Sequence, residues 1–184
     1  MIVVLSGTSG VGKSVVLEKV RNKRRDLRFS VSCTTRPRRP EEIDKKDYHF
    51  VTKETFLNNM NNYIECVCEN GVYYATERSE VLPRYPAEIV LLDVDCAGGL
   101  AVKSAFPHDT VVLIFITAPK EVVTQRLRKR ETGGRMDEAT IQARLARYDT
   151  EYAKAVASYD YIVENIGSIE ECASQIIDII DSYV

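Results

Sequence analysis

Residues 7–14 read Gly-Thr-Ser-Gly-Val-Gly-Lys-Ser, a G-x-x-x-x-G-K-[ST] pattern set between the apolar run IVVLS (2–6) and a helix-forming stretch over 13–24. Such a loop must turn its backbone amides toward one anion, and a Cβ at the turning points would block the approach. Gly7, Gly10 and Gly12 remove it, and Thr8, Ser9 and Val11 complete the loop. Lys13 then reaches the β- and γ-phosphates of a bound nucleoside triphosphate, and the Ser14 hydroxyl ligates Mg²⁺. The positive end of the helix dipole adds to the hold on the anion. A glycine-rich structural turn would need none of this, but the strand before the motif and the helix after it supply the context a phosphate loop requires.

The rest of the chain repeats that strand–helix rhythm. EIVLLDV (88–94), TVVLIFI (110–116) and DYIVE (160–164) read as buried strands, and helical stretches cover 97–105, 119–130, 137–157 and 169–182. Near-continuous Val, Ile and Leu in strands that alternate with helices predict an α/β fold, a parallel sheet covered by helices on both faces. The last helix places Ile169, Cys172, Ala173, Ile176, Ile177 and Ile180 at helical spacing, a face that docks on the sheet.

Two segments break the rhythm. Residues 32–82 turn polar and aromatic, with short strand-like pieces (YHFV, YIECV) and a hairpin signal at Glu69-Asn70-Gly71. This predicts a small mixed α/β subdomain inserted into the frame. Residues 130–137 (RETGGRMD) form a basic, Gly-containing loop between helices, the pattern of a mobile lid. The expected division is a single domain over 1–184, with a core of 1–31, 83–129 and 140–184, the subdomain at about 32–82 and the lid at about 130–139.

A chain of 184 residues suits one such domain, and a net charge of −2 excludes a generic binder of nucleic acid or membrane surface. MIVVLS is only a strand's length, so it indicates neither a signal peptide nor a membrane span. Five cysteines are scattered along the chain. Cys66-x-Cys68 is the close pair, on one face of a strand, and nothing completes a zinc site around it. All five read as small buried hydrophobes in a reducing, cytoplasmic protein.

SVSCTTRPRRP (30–40) gathers Arg36, Arg38 and Arg39 ahead of Asp47-Tyr48-His49-Phe50. A basic loop is usually a solvated surface. This one comes with hydroxyls at Ser32, Thr34 and Thr35 and a phenol at Tyr48, and arginine forks and neutral hydroxyls together suit a second phosphate. The composition alone leaves both readings open.

The order and spacing of GTSGVGKS, SVSCTTRPRRPEEIDKKDYHFV, YIE (63–65), GVYYAT (71–76), LLDVDCAG (91–98) and RLRKRET (126–132) resemble the guanylate kinases. The likeness covers essentially the whole chain. It implies ATP and GMP (and dGMP) as substrates, Mg²⁺, and a core, GMP-binding subdomain and lid that close on them. By that resemblance Arg36, Arg39, Tyr48 and Tyr74 hold the GMP phosphate, and Ser32, Glu65, Thr76 and Asp95 read guanine. The chemistry agrees: an ionised carboxylate accepts from both N1–H and N2–H₂, and hydroxyls donate to O6. Adenine would leave these groups unpaired, and polar sites of this kind discriminate by roughly 10⁴ in the best cases. Asp93 and Asp95 share one strand end, so either could organise the water shell of Mg²⁺.

A phosphate acceptor is already ionised, so transfer rests on alignment and on cancelling the repulsion of two anions. Lys13, Mg²⁺ and Arg36 serve the centre. Arg126 and Arg130 lie one turn apart on a helix and, with Arg144, resemble the family's lid arginines. Arg128, Lys129, Arg135 and Arg147 read as solvated charges. The chain departs from the family at Glu41 and Lys45, where glycines are usual, at Ala75, Val15 and Cys66, and in extra residues around Gly133-Gly134-Arg135. Competing readings are a P-loop kinase of ribose 1,5-bisphosphate or another nucleoside monophosphate, and a non-catalytic interaction module. The intact Gly12-Lys13-Ser14 and the combination of Tyr48, Glu65 and Tyr74 favour the kinase of GMP, as a monomer or homodimer.

Overall fold

The apolar runs lie side by side in a computed structural model that describes residues 1–69, 71–129 and 138–184. The chain opens with β1 (Ile2–Gly7), α1 (Lys13–Lys23) and the short strands β2 (Arg28–Phe29), β3 (Cys33–Thr34) and β4 (His49–Phe50). After α2 (Lys53–Asn58) and a 3₁₀ turn come β5 (Tyr63–Glu69), β6 (Val72–Glu77) and α3 (Arg78–Val81). Alternation then resumes through β7 (Val90–Asp93), α4 (Cys96–Ala105), β8 (Val111–Thr117) and α5 (Lys120–Lys129). It ends with α6 (Glu138–Ser158), β9 (Tyr161–Glu164) and α7 (Ile169–Asp181).

Five strands form one parallel sheet in the order β2-β7-β1-β8-β9. Strand alternation divides its core between two faces. Val3 and Leu5 pack with Val16 and Val20 of α1, Leu127 of α5, Ile141 of α6 and Ile176 of α7. Ile2 and Val4 pack with Val81 of α3, Val102 of α4, Ala155 of α6 and Tyr159. Helices therefore cover both faces, as the apolar strands require. On α7, Cys172, Ala173, Ile176 and Ile180 are buried, with Ile169 and Ile177 packed against the same core. The principal neighbour of that helix is α1, itself laid on the sheet, rather than the sheet alone.

A second, four-stranded sheet has the order β4-β3-β6-β5 and mixes parallel and antiparallel pairs. β5 and β6 form the expected hairpin, with Glu69 opposite Val72 and Gly71 at φ +81°. The buried centre of this sheet is small: Cys33, Phe56 and Ala75, with Val51, Tyr63 and Tyr73 against them.

All five thiols are free, and Cys33, Cys96 and Cys172 are buried. Cys66 and Cys68 correct the expectation of burial, because both are exposed. They lie on β5, the edge strand, and the six-residue α2 sends only Phe56 into the interior, over Tyr63 and Tyr73. Among the described residues no helix is long and apolar enough to cross a membrane.

Candidate functional site

The phosphate loop joins β1 to α1 at the carboxyl end of the parallel sheet, where ligands of such sheets bind. A Cβ on Gly7 would stand 2.5 Å from the backbone oxygen of Ile116 on β8, so only glycine fits that approach. Gly12, at φ +93°, caps the first turn of α1 in the left-handed region. The carbonyl of Val11 between them is held by two donors, Arg126 Nη1 at 2.9 Å and Asn165 Nδ2 at 2.8 Å. Arg126 also donates to the Asn165 carbonyl at 2.8 Å. Lys13 forms an ion pair with Asp93 at the end of β7, and Ser14 lies exposed in the first turn of α1.

Beside the loop opens a cavity of about 270 Å³. Lys13, Ser32, Tyr48, Glu65, Tyr74 and Asp95 all line it, with Asp93 paired to Lys13. The two sheets build it together: Lys13 comes from α1, Asp93 and Asp95 from the end of β7, and the others from the second sheet and its loops. Glu65 and Thr76 are cross-strand partners on β5 and β6, and the buried Thr76 hydroxyl donates to Glu65 Oε1 at 2.6 Å. Burial raises the Glu65 carboxyl above the usual carboxylate range, against that hydrogen bond, and the nearby charge of Asp95 adds to the rise. Asp95 caps α4, with Oδ1 accepting from the Gly98 amide at 2.7 Å, which fixes the carboxylate at the cavity edge. Tyr48 and Tyr74 meet edge to face at 6.1 Å between ring centroids.

Arg36 stands over the Tyr48 and Phe50 rings, its guanidinium carbon 5.5 and 5.7 Å from their centroids. Its fork bonds both oxygens of Glu42, at 3.0 and 2.6 Å. The Arg39 amide donates to the same carboxylate at 2.7 Å, while the Arg39 side chain is exposed. Arg36 and that amide hold the Glu42 carboxyl down to about 2. An anionic group thus already occupies the arginine fork. The loop behind it carries Lys45 at φ +63°, in the region where the family's glycine would sit without strain. Glu41, the other departure, is exposed with no positive φ.

Arg144 Nη1 donates to Ser9 Oγ at 3.0 Å, reaching the phosphate loop from α6. A second cavity of about 240 Å³ lies there, lined by Gly7, Ser9, Asp95 and Arg144 among others. Arg130, with the stretch Gly133-Gly134-Arg135, lies outside the described residues, and of the lid span only the start of α6 is described. The structure therefore gathers Ser32, Glu65 and Asp95 with Lys13, Tyr48 and Tyr74. Thr76 sits beneath them, Arg144 on the loop's other side and Arg126 behind the loop.

Sequence reasoning missed Glu42, Glu69, Asn165 and Arg147. Arg147 is solvated, as read, but it also lines both cavities and pairs with Glu69 of β5 at 3.3 Å. Its position three residues after Arg144 places both on one face of α6, the signal that singled out Arg126 and Arg130.

A family model for guanylate kinase matches residues 1–183. A guanylate kinase of Gloeobacter violaceus is 41% identical over 168 residues, covering 89% of this chain and 79% of the other. One from Fusobacterium nucleatum subsp. nucleatum is 39% identical, covering 98% of this chain and 96% of its own. Among solved structures, the guanylate kinase of Anaplasma phagocytophilum superposes with a TM-score of 0.72 at 30% identity, over 100% of this chain and 85% of that one.

Proposed function

The chain belongs to the guanylate kinase family, and from that premise we propose that its cleft transfers the γ-phosphate of ATP to GMP, and to dGMP, as a cytoplasmic Mg²⁺-dependent enzyme. The observation that carries the reading is the single cavity in which Lys13 of the phosphate loop meets Ser32, Glu65 and Asp95. A donor-phosphate cation and a set of groups complementary to guanine share one space.

In this reading Glu65 accepts from guanine N1–H and N2–H₂, Ser32 and Thr76 serve the purine edge, and Asp95 completes the acceptor set. Thr76 already orients Glu65 through its hydrogen bond. Tyr48, Tyr74, Arg36 and Arg39 hold the acceptor phosphate, and Arg36 exchanges the Glu42 carboxylate for the phosphate oxygens. Gly7 to Ser14 cradle the donor. Lys13 leaves Asp93 for the triphosphate, Arg126 holds the loop in shape, and Arg144, with Arg130 by the family resemblance, serves the donor phosphates. No side chain is needed to remove a proton, because the acceptor is already an anion; the residues align two anions and offset their repulsion. The oxygen donors present, the exposed Ser14 hydroxyl and the Asp93 and Asp95 carboxylates, suit Mg²⁺, which binds through few protein oxygens and the substrate phosphates. When bound, it neutralises phosphate charge. The five free thiols accord with a cytoplasmic setting. The same reading divides the chain into a core (1–31, 83–129, 140–184), a GMP-binding part (about 32–82) and a lid (about 130–139).

The deciding measurement is ADP release from Mg-ATP with GMP, dGMP, AMP, UMP and ribose 1,5-bisphosphate offered separately. Turnover with GMP and dGMP and little with the others is expected. Absence of turnover with GMP would refute the reading.

A further inference from the structure

The cleft has two walls, and one arginine touches both. Arg147 stands on α6, which packs on the parallel sheet, and borders three adjoining cavities. Its Nη1 lies 3.3 Å from Oε1 of Glu69, the last residue of β5, and its Nη2 lies 3.5 Å from Oε1 of Glu151, one turn further along α6. Glu69 borders two of the same cavities, so the pair spans the open mouth of the cleft. Among the described residues, the other charged contact between the two sheets lies elsewhere: Glu80 of α3 meets Arg28 and His49, neither of which lines these cavities. Cleft carboxylates surround the guanidinium, with Glu69 and Glu151 in contact and Asp95 on the same cavity walls. A cation so placed has a partner whether the walls part or close: Glu151 keeps it on α6, and Glu69 is gained or lost with the hairpin.

We propose that Arg147 is a positioning residue for the acceptor nucleotide, its ion pair with Glu69 strapping the β5–β6 hairpin to α6 across the mouth of the cleft. The proposal rests on the reading of this cleft as the phosphate-transfer site. Glu65, Val67 and Glu69 alternate along β5 and all line the acceptor cavity, so the strap acts on the strand that carries the guanine reader. Both side chains of the pair are more than half exposed, at 61% and 54%. Water and salt screen such a pair, and its bias toward closure is about two- to fivefold. That is enough to favour the closed cleft and too little to trap product.

The test compares R147A, E69Q, the double variant R147A/E69Q and R147K in the full-length chain. For a strap, R147A and E69Q each raise the KM for GMP about two- to fivefold with the KM for ATP unchanged. The double variant is no worse than either single one, and R147K stays near wild type. Amide exchange of the β5–β6 hairpin without nucleotide speeds up by a similar factor in both single variants. Loss of kcat in R147A beside a wild-type E69Q would make Arg147 a phosphate ligand and overturn the strap. Additive losses, or hairpin exchange unchanged in both, would overturn it too. If the wild-type chain fails to phosphorylate GMP, the functional reading falls by itself, and hairpin exchange still decides on the strap.

Discussion

The two sheets of this molecule face one cleft with opposite constructions. The parallel sheet is buried on both faces, and from Ile2 to Leu5 every side chain of β1 is fully inaccessible. The second sheet has three buried apolar side chains and holds its shape otherwise by polar devices: Arg36 with Glu42, Thr76 with Glu65, and Asp47 accepting from the Ile43 amide at 2.7 Å. The lesson lies in what each must do. A phosphate loop needs fixed amides, which a dense core supplies. An acceptor site must present carboxylates, hydroxyls and arginines to a ligand, and those groups cannot be spent on a core.

The strongest way to break this comparison is the same deletion on both sides. Phe115 and Phe56 are both fully buried, and each change to Ala removes about 3–5 kcal/mol of packing. F115A should lower the melting temperature of the whole chain. F56A should loosen mainly the second sheet, visible as faster amide exchange over β3–β6 and a raised KM for GMP, with the ATP side little changed. Equal, global unfolding in both would show that the two sheets fold as one unit.

Next comes the charge at the cavity floor. E65Q should lower kcat/KM for GMP by about 10²-fold and spare the KM for ATP. Because burial raises the Glu65 carboxyl, the wild-type KM for GMP should climb on acidification from a pH above the ordinary glutamate range, and E65Q should lose that limb. The stability sign follows. An ionised Glu65 opposes folding at neutral pH and is relieved as pH falls through its raised value, so E65Q should not lower the melting temperature at pH 7. Glu42 behaves oppositely within the same sheet. Its hold on Arg36 is complete above the unfolded carboxyl's 4.5 and is lost as pH falls toward about 2.

The smallest effect sharpens the picture of the arginine loop. Lys45 at φ +63° carries a Cβ where none fits without strain. K45G should raise stability by about 1 kcal/mol or less, since the strain it relieves is partly offset by the freer unfolded chain. A denaturant midpoint that falls instead would mean the lysine side chain contributes more than its backbone costs.

Much of this was legible in the sequence because it depends on local patterns. Val3, Leu5, Leu91 and Ile114 belong to apolar runs whose period and length announce buried strands, and Gly7 to Ser14 announce the loop. The grouping of Ser32, Glu65 and Asp95 is legible through resemblance to a family rather than from spacing, since these residues stand far apart in the chain. What escaped reading depends on encounters between distant segments. Cys66 and Cys68 look like core residues until the sheet order places β5 at an edge. Arg147 reads as a surface charge and is one, but no spacing shows that Glu69 stands opposite it. Arg126 matches the pattern of a lid arginine, yet its two hydrogen bonds to backbone carbonyls are a tertiary fact no spacing contains.

Those bonds have a further consequence. The Val11 carbonyl and the Gly12 N–H belong to one peptide group, so donors on its oxygen draw electron density away from its nitrogen. Arg126 brings a full positive charge to that oxygen and Asn165 a second dipole. Hydrogen bonds in series polarise one another, by perhaps 10–30% per bond. The Gly12 amide is thereby a more acidic donor than a glycine in an ordinary turn. If the loop holds the donor phosphates as proposed, Arg126 tunes that grip through the resonance of a single amide.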